Sequence, residues 1–282
     1  MTTFRETICP GVEFSVAPDR MIFAGETRYQ TLHVFEHATL GSVLALDHVV
    51  QTTTSDEFIY HEMLVHTALL SHAAPEDVLI IGGGDGGTLR EVLRHPIRSA
   101  TMVELDVDVV RHCREHMPSL SAGAFDDPRT HLLFGDGAAF VADTSAQFDV
   151  IIIDSTDPIG PGRVLFEEPF FHACNSRLRN GGIMVNQNGT PAFMPEALRD
   201  SDRVLGQVFN HHGFFYVPVP TYVSGVMALG WASDSRNLAV LDREWLERRA
   251  AATRLETRWY TPATHLGAFA EPPVYTALRS GR

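Results

Sequence analysis

The sequence predicts an α/β fold: a doubly wound, mainly parallel sheet preceded by a small antiparallel β domain. Three observations carry this. Short extended segments separated by turn residues fill residues 12–51. From Ser55 the period changes, and apolar strands alternate with helical stretches. Those later strands are apolar on both faces, as expected of a parallel sheet covered by helices on each side. The boundary falls between residues 1–54 and 55–282.

In the first part the strands read as Val12–Ala17, Met21–Ala24, Tyr29–Phe35, Ser42–Leu46 and Val49–Gln51, with Pro18-Asp19, Gly25-Glu26 and Gly41 as turns. Ser55-Asp56-Glu57 then offers an N-cap and first-turn acids to a helix carrying Phe58, Ile59, Leu64, Val65, Ala68 and Leu69. The strands that follow are Val78–Ile81, Thr101–Leu105, His131–Phe134, Val150–Asp154 and Gly182–Asn186. The helices between and after them are Thr88–His95, Val107–His116, Gly137–Asp143, Phe166–Leu178 and Pro195–His211. Phe214–Pro218 and Val226–Trp231 read as an antiparallel hairpin at one sheet edge.

Composition narrows the chemistry. Of 282 residues 44% are apolar, with no run of about 18 that could span a membrane. The first residues lack the basic-then-apolar pattern of a secretory leader. Cys9, Cys113 and Cys174 show no paired spacing, which suggests neither a disulfide framework nor a zinc site and points to a reducing cytoplasm. The net charge of −13 disfavours nucleic acid and anionic lipid and favours cationic ligands. All 22 basic residues are arginine. Without lysine, neither a pyridoxal Schiff base nor a Walker-type phosphate loop is available.

The strand Val78–Ile81 runs into Gly82-Gly83-Gly84-Asp85-Gly86-Gly87 and then a helix. Such a loop lets a nucleotide or nucleoside approach the backbone, and it makes the fold Rossmann-like or methyltransferase-like. Gly82, Gly84 and Gly87 also satisfy a dinucleotide pattern. Glu104, at the end of the next strand, is placed to accept ribose hydroxyls, with Asp106 as a competitor for the role. Asp136 in Gly135-Asp136-Gly137 is placed to accept from an adenine amino group. Asp85 stands where a pyrophosphate would lie, which favours a ligand with a cationic centre such as a sulfonium. The fourth strand ends in Asp154-Ser155-Thr156-Asp157-Pro158-Ile159-Gly160-Pro161-Gly162. Strand ends share one crevice in an open parallel sheet, so Asp154 and Asp157 face the cleft of Asp85 and Glu104. Gathered carboxylates require a cation. His112 and His116 lack metal-ligand spacing with these acids, so a polyamine fits better than a metal.

Over about Tyr29 to Phe269 the chain resembles bacterial spermidine synthases, the polyamine aminopropyltransferases. The likeness lies in Tyr29-Gln30, Leu46-Asp47 with Gln51, Asp56–Glu62, Ile80–Gly87, Val103-Glu104, Gly135–Gly137, Asp154–Gly162 with Leu165-Phe166, and Pro220-Thr221-Tyr222. A weaker match continues through Trp259–Pro262, His265 and Ala268-Phe269. The resemblance implies transfer of the aminopropyl group of decarboxylated S-adenosylmethionine to a diamine, with putrescine as the expected acceptor. Spermidine and methylthioadenosine would be the products, and decarboxylated S-adenosylmethionine is a co-substrate rather than a cofactor. It also implies that Asp154 is the base, that Asp157 holds the diamine, and that Tyr60 and Tyr222 orient the amine. His61 and Asp85 would line the region between amine and aminopropyl group. Gln30, Gly82, Gly84, Glu104, Asp136 and Gly137 would hold the nucleoside, with Pro161 closing over it. No metal is implied; a homodimer or homotetramer is. The stretch Ser155–Leu165 reads as a lid that orders on substrate binding.

Four residues depart from the family pattern. His48 stands where a glycine commonly follows Leu-Asp, predicting a locally different backbone. Val223 replaces a proline, and Arg163 and Val164 replace an acid and a small residue. Arg163 either repels a long polyamine or points to solvent. Other readings of the same residues are a methyltransferase using intact S-adenosylmethionine, a catalytically silent amine- or nucleoside-binding protein, and an NAD-dependent dehydrogenase. The doubly acidic loop, the presence of Asp154 and the presence of Asp85 argue against them in turn.

Overall fold

The two all-apolar stretches at 78–81 and 150–153 form the middle of a seven-stranded sheet, where both faces must be dry. The computed structural model describes residues 3–157, 160–223 and 225–281, with the backbone alone at 160 and 161. Its strands are β1 (Phe4–Cys9), β2 (Val12–Val16), β3 (Arg20–Glu26), β4 (Thr31–His37), β5 (Gly41–Leu46), β6 (Val49–Thr53), β7 (Asp77–Gly82), β8 (Ser99–Glu104), β9 (Thr130–Phe134), β10 (Phe148–Asp154), β11 (Leu178–Gln187), β12 (His211–Val217) and β13 (Met227–Ser233). Its helices are α1 (Glu57–Ser71), α2 (Gly87–Leu93), α3 (Val107–His116), α4 (Pro118–Ser121), α5 (Gly137–Asp143), α6 (Glu168–Arg177), α7 (Pro195–Val208), α8 (Arg243–Thr253), α9 (Pro262–Ala268) and α10 (Pro273–Arg279).

The large sheet has the order β12-β13-β11-β10-β7-β8-β9, parallel from β11 to β9, with β13 antiparallel to both β11 and β12. Alternate residues serve opposite cores. Val78, Ile80, Val150 and Ile152 pack with α1, while Leu79, Ile81, Ile151 and Ile153 pack with α6 and α7. The chain leaves β7 toward β8 and returns on its other side as β10, so the topological switch lies between β7 and β10.

The N-terminal region differs from the single small sheet expected. It contains a four-stranded sheet, β3-β4-β5-β6, and a separate hairpin, β1-β2. One face of the four-stranded sheet packs Leu32, Val34, Leu44 and Leu46 on α3 and α4. Phe4 and Val16 of the hairpin cover the other face, against Phe35, Val43 and Val50.

Three local features bear on the readings from sequence. Asp56 sits at the α1 N-cap position but makes no capping bond. Its carboxylate instead accepts from Thr53 Oγ1 at 2.7 Å and from Thr221 N and Oγ1 at 2.8 and 2.5 Å, pinning the 220–222 loop to α1. The turn before β6 has a left-handed backbone at both central residues, with φ of 47° at Asp47 and 64° at His48. The His48 ring stacks on Phe4 and lies 5.0 Å from that of His33, contacts a glycine would lack. The helix expected over Phe166–Leu178 is the shorter α6, Glu168–Arg177, and a 3₁₀ segment over Gly160–Phe166 precedes it.

Glu62 fastens the C-terminal segment. Its buried carboxylate accepts from the backbone N–H groups of Arg258, Trp259 and Tyr260 at 2.8, 2.8 and 2.7 Å. Glu62→Ala leaves three donors without their acceptor, and the expected loss is about 3 kcal/mol of stability. Denaturant unfolding should show it as a lowered midpoint at unchanged slope.

Candidate active site

A cavity of about 530 Å³ opens along the carboxyl ends of β7, β8 and β10, where a switch point places a ligand crevice. Its lining contains Glu6, Asp85, Glu104, Asp136, Asp154 and Asp157, and no arginine among the described residues. Gln30, Tyr60, His61, Gly82, Gly84, Gly137 and Tyr222 also line it. Every candidate residue therefore shares one cavity except Pro161, whose side chain lies outside the described residues. Residues 158 and 159 of the acidic loop lie outside them as well.

Asp154 ends β10 beside Gly82. The Gly83 N–H donates to the Asp154 carbonyl at 2.8 Å. A Cβ on Gly82, whose φ is +81°, would stand 2.1 Å from that carbonyl oxygen, so this turn requires glycine. The Asp154 carboxylate accepts from Tyr60 Oη on Oδ1 at 2.7 Å and from Thr88 Oγ1 on Oδ2 at 2.6 Å. Burial is the main cause of its raised pKa. The His61 cation opposes that rise, the Asp85 charge adds to it, and the Thr88 and Tyr60 hydroxyls oppose it.

His61 is buried between two carboxylates. Its Nδ1 lies 2.6 Å from Glu57 Oε2 and its Nε2 lies 3.5 Å from Asp85 Oδ2. Burial disfavours its charge, yet Asp85 and Glu57 together raise its pKa well above the ordinary histidine value. Burial also pushes the Asp85 carboxyl up, and the imidazolium outweighs it, so Asp85 is held low. Behind Glu57, Arg90 donates from Nη1 to Oε1 at 3.1 Å and from Nη2 to Oε2 at 2.9 Å.

At the end of β8, burial pushes the Glu104 carboxyl up to about 7, against hydrogen bonds from the Asp106 and Leu105 backbone. Asp106 does not compete for a ligand. Its Oδ1 caps α3 through Asp108 N, and its Oδ2 accepts from Thr27 Oγ1 and Gln30 Nε2. Gly84 packs against Glu104, where a Cβ would meet Oε2 at 2.9 Å. Asp136 caps α5, accepting from Ala138 N at 2.8 Å and Ala139 N at 3.1 Å through Oδ1.

Asp157 also lines the cavity, as does a residue the sequence reading missed, Glu6 of β1. Burial raises the Asp157 pKa, opposed by Gln187, whose Nε2 donates to Oδ1 at 3.3 Å. Burial pushes Glu6 up to about 7, with the Val50 N–H opposing the rise and the Asp157 charge adding to it. Tyr222 lines the cavity while its hydroxyl donates to the Gln51 carbonyl at 2.5 Å. Of the departures, Val164 and Val223 line the cavity. The Arg163 side chain is 78% exposed beside Glu167, so it faces solvent. Among the described residues, no cluster of three or more His, Cys, Asp or Glu side chains could hold a metal ion. Nor is any described helix long and apolar enough to cross a membrane.

Comparison with known proteins gives a consistent picture. Residues 57–242 match a family described as spermine/spermidine synthase domain, and residues 2–54 match one described as spermidine synthase tetramerisation domain. Polyamine aminopropyltransferase 1 of Pseudomonas aeruginosa is 48% identical over 273 residues, 96% of each chain. The polyamine aminopropyltransferase of Escherichia fergusonii is 49% identical over 257 residues, 91% of this chain and 89% of its own. Among solved structures, a spermidine synthase in complex with the transition-state analogue AdoDATO superposes with a TM-score of 0.95 at 34% identity, covering 100% of this chain and 96% of that one. The spermidine synthase of Thermotoga maritima gives 0.91 at 32% identity, covering 99% and 94%.

Proposed function

The chain belongs to the spermine/spermidine synthase family of polyamine aminopropyltransferases, and on that premise we propose that its acceptor is putrescine and that Asp154 is the base. The carrying observation is the position of Asp154 at the switch point, in a cavity it shares with Glu104 and Asp136 and with Asp157 and Glu6.

The co-substrate, decarboxylated S-adenosylmethionine, presents a methylene bonded to a sulfonium. The amine lone pair forms the new C–N bond as the C–S bond breaks, its electrons leaving on sulfur as neutral methylthioadenosine. Only an unprotonated amine can attack. With a lysine-like pKa of about 10.4, freeing it costs about 4.6 kcal/mol at pH 7. Asp154 takes that proton, and the raised pKa of its carboxyl suits it to do so. Tyr60 fixes the carboxylate, and Tyr222 forms a wall beside it. His61 and Asp85 form the wall where the aminopropyl chain lies; Asp85, held ionised, pairs with its ammonium. Gln30, Gly82, Gly84, Glu104, Asp136 and Gly137 enclose the nucleoside, with Pro161 closing over it in this reading. The far ammonium of the diamine lies between Asp157 and Glu6, which supports a diamine over a monoamine. The same reading divides the chain into 1–54 and 55–282 and assembles it as a homodimer or homotetramer through the first part, supported by the tetramerisation-domain match.

The test is methylthioadenosine release from decarboxylated S-adenosylmethionine with putrescine, cadaverine, spermidine or agmatine supplied separately. Putrescine should give the highest kcat/KM. A preference of tenfold or more for another amine would reassign the acceptor. Methyl transfer from intact S-adenosylmethionine, with no release from the decarboxylated form, would overturn the reading.

A further inference from the structure

Both oxygens of Asp154 already carry a hydroxyl donor, and the two donors come from different elements. Tyr60 reaches Oδ1 from α1, and Thr88 reaches Oδ2 from the first turn of α2. Thr88 is fully buried and does not line the cavity, so it touches no substrate. A threonine in the first turn of a helix has local backbone partners within reach. Here the hydroxyl crosses to a carboxylate 66 positions away in the chain, at the short distance of a charge-assisted bond.

We propose that Thr88 is a positioning residue for the catalytic base: its hydroxyl clamps the second oxygen of Asp154 and sets the pH at which that carboxylate becomes available. This rests on the assignment of Asp154 as the base. With one donor on each oxygen, the carboxylate cannot rotate without breaking a bond, and its remaining lone pairs stay directed at the cavity. Thr88 donates to the ionised form and so favours it. The other groups acting on Asp154 are Tyr60 and His61 from α1, Asp85 from the glycine loop, Glu104 from β8 and Tyr222 from the 220–222 loop. Burial and Asp85 push its pKa up, His61 and Tyr60 pull it down, and Thr88 adds to the downward side; the Asp154 charge in turn raises the Glu104 pKa. Removing Thr88 therefore moves the acid limb of activity to higher pH.

Thr88→Val keeps the branched shape and removes the hydroxyl; Thr88→Ser keeps the hydroxyl and removes a methyl. The acid limb of the kcat profile of Thr88→Val should rise by about one pH unit, the scale of one lost hydrogen bond to a charge. Rates should converge on wild type at the alkaline end, and Thr88→Ser should retain the wild-type limb. A limb unmoved in Thr88→Val, or moved equally in Thr88→Ser, overturns the proposal. A second readout does not depend on turnover. The carboxyl infrared band lost in Asp154→Asn should titrate at higher pH in Thr88→Val than in wild type, and an unshifted titration also overturns the proposal. Failure of the base assignment looks different: Asp154→Asn would then turn over normally whatever Thr88 does.

Discussion

An Asp154→Asn variant is expected to lose about 10³-fold in kcat at pH 7 while binding methylthioadenosine with near wild-type affinity. The amide cannot take the proton of the attacking ammonium, and removal of a general base typically lowers the rate by about 10²–10⁴-fold. The substitution is nearly isosteric: one of the Tyr60 and Thr88 hydroxyls can still donate to the amide oxygen while the other rotates to accept from the amide nitrogen, so the cavity keeps its shape. Glu104 and Asp136, proposed to hold the nucleoside, stand at other strand ends and should be untouched. Stopped assays of methylthioadenosine release give kcat, and calorimetry gives the affinity. Wild-type turnover would remove Asp154 from the mechanism.

Asp157→Asn should act on binding rather than chemistry, raising the KM for putrescine by about 100-fold with kcat changed much less. The loss follows from leaving an ammonium in a largely buried site with one charged partner gone, worth roughly 3 kcal/mol. The same geometry gives a pH dependence. Burial raises Asp157 and pushes Glu6 up to about 7. Both must be ionised to receive the ammonium, so protons are released on binding and the KM should rise as pH falls below about 7. Glu6→Gln should flatten this slope while weakening binding at every pH. A KM independent of pH between about 6 and 8.5 in wild type would remove Glu6 from the amine site.

The parallel core was legible because burial on both faces writes continuous apolar runs, as in Val78–Ile81 and Val150–Ile153. Their ends then located Asp85, Glu104, Asp136 and Asp154, since a parallel sheet brings successive strand ends to one rim. Glu6 escaped because β1 pairs only with β2, and its alternating Phe4-Arg5-Glu6-Thr7-Ile8-Cys9 pattern includes charged residues. The Pro10-Gly11 turn after it was the available signal. The helices α8, α9 and α10 span 7 to 11 residues each, too short for their periodicity to stand out and stabilised by packing rather than by propensity. Asp56 shows a local rule overridden, since Thr53 and Thr221 take the carboxylate that a helix cap would use. Thr88 was hidden for a related reason: the partner of a buried hydroxyl is decided by tertiary approach, which no spacing records.

The hairpin β1-β2 gives the two ends of the cavity unequal footing. Gly82 and Glu104 stand at the ends of β7 and β8, strands interior to the large sheet that share its global stability. Glu6 instead rides on a two-stranded unit held down by Phe4, Val16 and the bond from Val50 N to Glu6 Oε2 at 3.1 Å. A unit with so few ties opens at a lower free energy than the sheet beneath it. On the proposed reading, opening it would dismantle the far amine contact and leave the contacts of Gly82 and Glu104 with the nucleoside whole. The affinity for the diamine therefore includes the free energy of docking the hairpin, whereas that for the nucleoside does not.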